Sequence, residues 1–312
     1  MQRHFRLGGG VAPKTTRLRG QSIIEYVLVI ALIGLVIVFA GPSVASAIRN
    51  QFNQVTNTVD SGTDGGNFMS AEEKAYQEAM KTVVNKDAKD WTLDEQKAAA
   101  TDIAKNGTSS VVFAKAKAAM DAGTKFSVKL TNGKTLEYRI VGISHDDLAD
   151  GSRKAGLTFE ATNDALGAQR MNATDANAGG WEKSELRGRL NSGDLWSLLP
   201  GELQSKVKSV KKMTDNKGGG TAGTPSATTD KVFLLSTTEV YGDHLSEGIQ
   251  YEYYKSKGVT SLMHYMASLR NDRWTRSVNS IASQYFLYIP SFGSLTGNKA
   301  TAPLCVSPAW CF

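Results

Sequence analysis

The chain has 312 residues, 41% apolar and 21% charged, which is ordinary for a folded protein and long enough for two or three domains. Its net charge of +6 invites a nucleic-acid partner, but Arg3, Arg6, Lys14, Arg17 and Arg19 lie in the first twenty positions with no acid among them. The 36 Lys and Arg less those five leave 31 against 30 acids, a near-neutral remainder that excludes nucleic acid as a partner on electrostatic grounds.

Residues 1–20 form a basic leader, which would hold the N-terminus in the cytoplasm. Gly20-Gln21-Ser22-Ile23-Ile24-Glu25-Tyr26 follows, and then the uncharged run VLVIALIGLVIVFAG over 27–41. The apolar stretch reaches Ile48, a length that predicts a bilayer-spanning helix over 21–58, with residues beyond 50 outside the membrane. Glu25 sits inside the mouth of that segment, where an unpaired charge is costly. Ala45-Ser46-Ala47 offers a rival reading as the cleavage site of a secretory signal peptide.

The segment GQSIIEYVLVIALIGLVIV resembles the N-terminus of a type IVb prepilin of the Flp/Tad kind, over roughly residues 15–60. The resemblance implies cleavage by a prepilin peptidase after Gly20 and a new N-terminus at Gln21. It makes Glu25 the fifth mature residue and Tyr26 the sixth, both concerned with assembly. The Gln21 amine would pair with Glu25 of a neighbouring subunit, each compensating a charge that is expensive in a dry environment. Major subunits of that family are very short, so the long continuation fits a minor, tip-located or decorated pilin. The implied partners are other pilin subunits, the prepilin peptidase, the membrane before assembly, and a host or cell-surface ligand.

Residues 59–69 are Gly- and Asp-rich and read as a linker. Ser70-Ala71-Glu72-Glu73 and Thr92-Leu93-Asp94-Glu95 have the capping-box pattern, predicting helices to about 86 and 105. A third, Ala/Val-rich helix over 109–121 ends at Gly123. Together, 59–122 read as linker and helical spacer. At Lys125 the apolar period changes to two: Phe126, Val128, Leu130, then Asn132-Gly133, then Leu136, Tyr138, Ile140. That is a hairpin opening a C-terminal domain over 123–312.

Within it, 181–210 reads as two helices split at Pro200, 214–230 as a mobile exposed Gly/Thr loop, and 231–236 as a buried strand. Residues 251–258 read as aromatic and partly exposed, and 272–280 and 283–293 as strands. The order of several blocks is similar to an uncharacterised bacterial surface domain: the hairpin, Trp181 to Asn191, KVFLLSTTEVYG, Trp274-Thr275-Arg276-Ser277 and Val306 to Trp310. That domain in turn resembles the formylglycine-generating-enzyme and C-type-lectin-like fold. The fold expected for the whole chain is α+β: a long N-terminal hydrophobic pilin helix, a short helical spacer, and a C-terminal domain with a twisted antiparallel sheet and two helices.

Cys305 and Cys311 are the only cysteines and are a disulfide candidate for an extracellular domain, with two buried thiols as the alternative. They do not fall on the enzyme's active-site motif, so neither catalysis nor a cofactor is expected. A membrane-anchored enzyme of that superfamily remains the alternative function. His145, His244 and His264 show no metal-ligand spacing. Asp146, Asp147 and Asp150 with Gly151 read as a polar turn, with a calcium loop as the rival. Trp274 is expected in the core, with Arg276 paired to an internal carboxylate such as Glu182 or Glu185.

Overall fold

A computed structural model describes residues 69–242, 245–259, 271–291 and 295–312. The basic leader, Gly20, Gln21, Glu25 and Tyr26 lie outside the described residues. So does the expected hydrophobic helix over 21–58. Among the described residues no helix is long and apolar enough to cross a membrane, which corrects the expected fold.

Residues 63–312 form one compact unit. It begins with helix α1 (Ala71–Val83), α2 (Leu93–Asn106) and α3 (Phe113–Ala122). Ser70 accepts from the Glu73 amide at the start of α1, which is half of a capping box. Thr92 and Glu95 complete a full one at α2. Gly123 closes α3 in the left-handed conformation that only glycine adopts without strain. The helices expected to form a spacer share the core of the strands that follow. Ala99, Ala100, Ile103 and Ala116 are fully buried. A Cβ on Gly156 would lie 1.8 Å from the Ala100 carbonyl oxygen, so the chain after residue 155 packs directly on the α2 backbone.

The hairpin forms as its pattern dictates. Strand β1 (Lys125–Lys129) pairs antiparallel with β2 (Thr135–Ile143), with Phe126 opposite Tyr138. Strand β3 (Leu157–Ala161) adds to β2, while β12 (Ala309–Cys311) inserts between β3 and β7 (Val232–Phe233). The sheet order is β1-β2-β3-β12-β7. One face carries Phe126, Tyr138, Phe159, Trp310 and Phe312 in ring contact, with centroids 5.0 to 6.1 Å apart.

The second sheet runs β10 (Thr296–Lys299), β9 (Tyr285–Ile289), β8 (Arg273–Val278), β11 (Leu304–Cys305), β4 (Ala168–Gln169). Its β8–β11 pair is parallel. Strands β5 (Val210–Thr214) and β6 (Ser226–Asp230) make a separate ribbon. The single twisted antiparallel sheet expected is therefore two five-stranded sheets and a ribbon. The two helices expected over 181–210 are four short ones: α4 (Gly180–Lys183), α5 (Glu185–Asn191), α6 (Asp194–Leu198) and α7 (Gly201–Gln204). Gly193, whose position admits no Cβ beside the Arg189 backbone, breaks the first of these runs before Pro200 does. Two more follow, α8 (Thr237–Tyr241) and α9 (Glu252–Ser256).

Two expectations about loops change. The Gly/Thr segment is tied down: the Asp215 carboxylate accepts from the Gly223 and Lys217 amides, and the Asn177 side chain accepts from Gly219. The aromatic stretch at 251–254 is inside, with Tyr251, Tyr253 and Tyr254 all buried.

Candidate functional site

The densest chemistry among the described residues is a buried ionic cluster between the layers. Strand β2 delivers its first member. The register slips between Ile140 and Gly142, and Gly142 has no room for a side chain, since a Cβ there would come within 2.7 Å of the Tyr251 ring. Ser144 then takes a positive φ of 51°, an uncommon conformation for a residue with a side chain. The turn that results carries Asp146 inward, 4% exposed.

Lys212 comes from the middle of β5. Val210, Lys212 and Thr214 face inward while Lys211 and Met213 face out, so strand alternation itself buries the ammonium. Lys212 Nζ lies 2.6 Å from Asp146 Oδ1, 2.5 Å from Glu239 Oε1 and 3.0 Å from the Tyr251 hydroxyl. The Phe233 ring covers it at 4.3 Å to the centroid. Tyr251 donates to the Asp146 carboxylate, and the Thr158 hydroxyl donates to Asp146 Oδ2 at 2.6 Å.

Glu239 is the third residue of a capping box. Ser236 accepts from the Glu239 amide, and the Glu239 carboxylate accepts from the Ser236 amide. The same carboxylate pairs with Lys212 and with Arg276 on β8. Arg276 is fully buried and saturated. It donates to Thr214 Oγ1 at 2.7 Å, to the Leu234, Met213 and Glu247 carbonyls at 2.9 to 3.0 Å, and to both Glu239 oxygens. Burial opposes every charge here, but the opposite charges prevail. They hold the Asp146 and Glu239 carboxyls below the usual range and the Lys212 ammonium above it.

A second cluster joins the sheets. Glu160 on β3 accepts from Arg273 on β8 at 3.3 Å, from Arg139 on β2 at 3.5 Å and from the Tyr254 hydroxyl at 2.5 Å. The Arg139 guanidinium stacks over the Tyr253 ring at 4.0 Å. Outside the first cluster, His145 stacks on Tyr251 at 4.0 Å and contacts the Glu252 carboxylate at 3.1 Å. Burial works against its charged form, but the Glu252 hydrogen bond and the Asp146 charge raise its pKa.

Cys305 and Cys311 are both free, one on β11 in the second sheet and one on β12 in the first, so the disulfide expected between them is not formed. Burial pushes the Cys305 thiol up to about 11, and it pushes the wholly buried Cys311 thiol well above the ordinary thiol value. Neither is a thiolate near neutrality, and redox chemistry by this pair has no geometric basis. Asp147 and Asp150 lie exposed in a turn where Asp147 pairs with Lys154 and Asp150 caps Ser152, while Asp146 points the other way into the cluster. Among the described residues no group of three His, Cys, Asp or Glu has the geometry of a metal site. His244 and His264 lie outside the described residues. Trp274 is buried as expected, and the carboxylate facing Arg276 is Glu239 instead of Glu182 or Glu185.

Sequence reasoning missed Lys212, Glu239 and Asp146 as one site. Two signals were present. Ser236-Thr237-Thr238-Glu239 is a capping-box pattern, and VKKMT places one lysine on the Val/Thr face of a strand.

No curated protein and no solved structure matches the chain. A family model for a domain of unknown function, DUF6273, matches residues 155–312. Lys212, Glu239 and Arg276 lie within that span, and Asp146 lies before it. The match covers half of the chain, and the chain belongs to the DUF6273 family.

Proposed function

We propose that this chain is a surface-displayed subunit of the type IVb pilin kind, minor or tip-located, which presents its C-terminal domain for adhesion. The observation that carries the reading is Gly20-Gln21-Ser22-Ile23-Ile24-Glu25-Tyr26, set between a basic leader and an uncharged run over 27–41. Processing after Gly20 by a prepilin peptidase would free the Gln21 amine. Pairing of that amine with Glu25 of a neighbouring subunit then explains a carboxylate placed where an isolated one is costly. The basic excess leaves with the leader, and the remaining chain is nearly neutral.

The chemistry of the described domain supports presentation over catalysis. Asp146, Lys212, Glu239 and Arg276 neutralise one another inside the protein, away from any substrate. Both thiols are held protonated. The deciding measurement is the mass of the N-terminal peptide of the protein recovered from cells. A start at Gln21 is expected, and a start elsewhere, such as after Ala47, overturns the processing. Glu25→Ala is expected to abolish incorporation into fibres while leaving cleavage intact; unchanged incorporation removes the assembly role.

A further inference from the structure

The Lys212–Asp146–Glu239 cluster has a geometry that goes beyond an ion pair. We propose that the Lys212 Nζ and the Asp146 carboxyl carbon join in an intramolecular isopeptide bond, with Glu239 as the proton carrier. An amine hydrogen-bonded to one oxygen of a carboxyl group lies about 3–3.5 Å from its carbon, which is the near-attack range. Lys212 meets that condition at 2.6 Å from Oδ1, on the inward face of β5.

The atoms balance without an outside reagent. Within the resting ion pair, one proton passes from the Lys212 ammonium to Asp146 Oδ1 along their hydrogen bond. The neutral amine attacks the carboxyl carbon, forming the C–N bond. A second proton leaves nitrogen for Glu239 Oε1, 2.5 Å from Nζ, and is returned to the departing Oδ1 hydroxyl. The C–Oδ1 bond breaks and water leaves. The amide nitrogen keeps one proton, and Glu239 is again a carboxylate, facing Arg276.

Three further features suit the reaction. Negative charge developing on Asp146 Oδ2 meets two donors already aimed at it, the Tyr251 hydroxyl at 2.9 Å and the Thr158 hydroxyl at 2.6 Å. The Phe233 and Tyr251 rings flank Nζ, and all three reacting side chains are at most 4% exposed, so bulk water is kept from reversing the step. Charge also stays balanced. Before reaction Lys212 and Arg276 face Asp146 and Glu239; afterwards Arg276 faces Glu239 alone, and two costly buried charges have gone. The link would close a loop through β3, β4 and α4 to α7.

The test is mass spectrometry of the full chain. After denaturation and digestion, the wild type is expected to give a branched peptide joining the segments around Asp146 and Lys212, lighter by one water than the two together. Lys212→Arg keeps a cation beside both carboxylates and is expected to give only linear peptides. Linear wild-type peptides carrying free Lys212 and Asp146 overturn the proposal. So does a water loss that maps to Asp150-Gly151 as a succinimide. The wild-type result decides the matter alone if Lys212→Arg does not fold.

Discussion

Replacing Arg276 by methionine keeps most of the side chain's length and removes its charge. In the native protein Arg276 is fully buried and donates to Thr214, three backbone carbonyls and both oxygens of Glu239. Without it, the Leu234 and Met213 carbonyls lose a charged donor inside the protein, and the Glu239 carboxylate loses its guanidinium partner. Breaking a buried pair by removing one member costs about 3–5 kcal/mol. That is a large part of the roughly 5–15 kcal/mol that holds a domain folded. The comparison is Arg189→Met. Arg189 makes an equally well-aligned double contact with Asp194, at 2.8 and 2.9 Å, but on the surface, with Asp194 64% exposed. Its loss should cost no more than about 1 kcal/mol. Urea denaturation read by tryptophan fluorescence should show a far larger midpoint shift for Arg276→Met. Equal shifts for the two variants would refute the claim that burial sets the value of these contacts.

Glu95 caps α2, pairs with Lys86 at 2.7 Å and accepts from Thr82. Burial opposes its charge, but these partners depress its pKa from 4.5 to about 2. Its contribution is therefore present above 4.5 and lost as pH falls towards 2, and Glu95→Gln should flatten that part of the stability–pH curve. His145 has the opposite sign. Its raised pKa stabilises fully below the ordinary histidine value and fades as pH rises through the folded one. The thermal midpoint gap between wild type and His145→Gln should thus narrow in alkali. Gly156→Ala places a methyl 1.8 Å from the Ala100 oxygen, so α2 must shift; a loss of about 1–3 kcal/mol is expected, with faster amide exchange in α2. Alkylation followed by mass should label Cys311 only on unfolding and Cys305 slowly before it; equal native rates would contradict their burial.

What the sequence made legible was local. The capping residues Thr92 and Glu95, the Asn132-Gly133 turn and the Gly123 stop act through neighbours three or four positions away, so a short window holds the whole cause. Strand β8 (Arg273–Val278) forms where a strand over 272–280 is expected, but a short window does not show that every position of it is buried, Arg273 and Arg276 included. Tyr251, Tyr253 and Tyr254 look amphipathic in isolation, but each hydroxyl finds its partner in a distant element: Asp146, Arg139 and Glu160. The separation in sequence of Asp146 from Lys212, 66 positions, hid the cluster for the same reason.

The two ionic clusters explain each other once their elements are compared. Arg273 and Arg276 sit three residues apart on one strand of the second sheet, yet they take carboxylates from different places. Arg273 takes Glu160 from the first sheet, and Arg276 takes Glu239 from α8. Buried ion pairs add little net stability over well-packed apolar groups, so stability is a weak reason for their presence. Selectivity is a stronger one. A slip of β5 by one residue would turn Met213 inward in place of Thr214, and Arg276 would lose the hydroxyl that accepts from its Nε. Lys212 would leave Asp146 and Glu239 at the same time. The charges make the ribbon, α8 and both sheets accept one register only, and a cross-link between Lys212 and Asp146 would make that choice permanent.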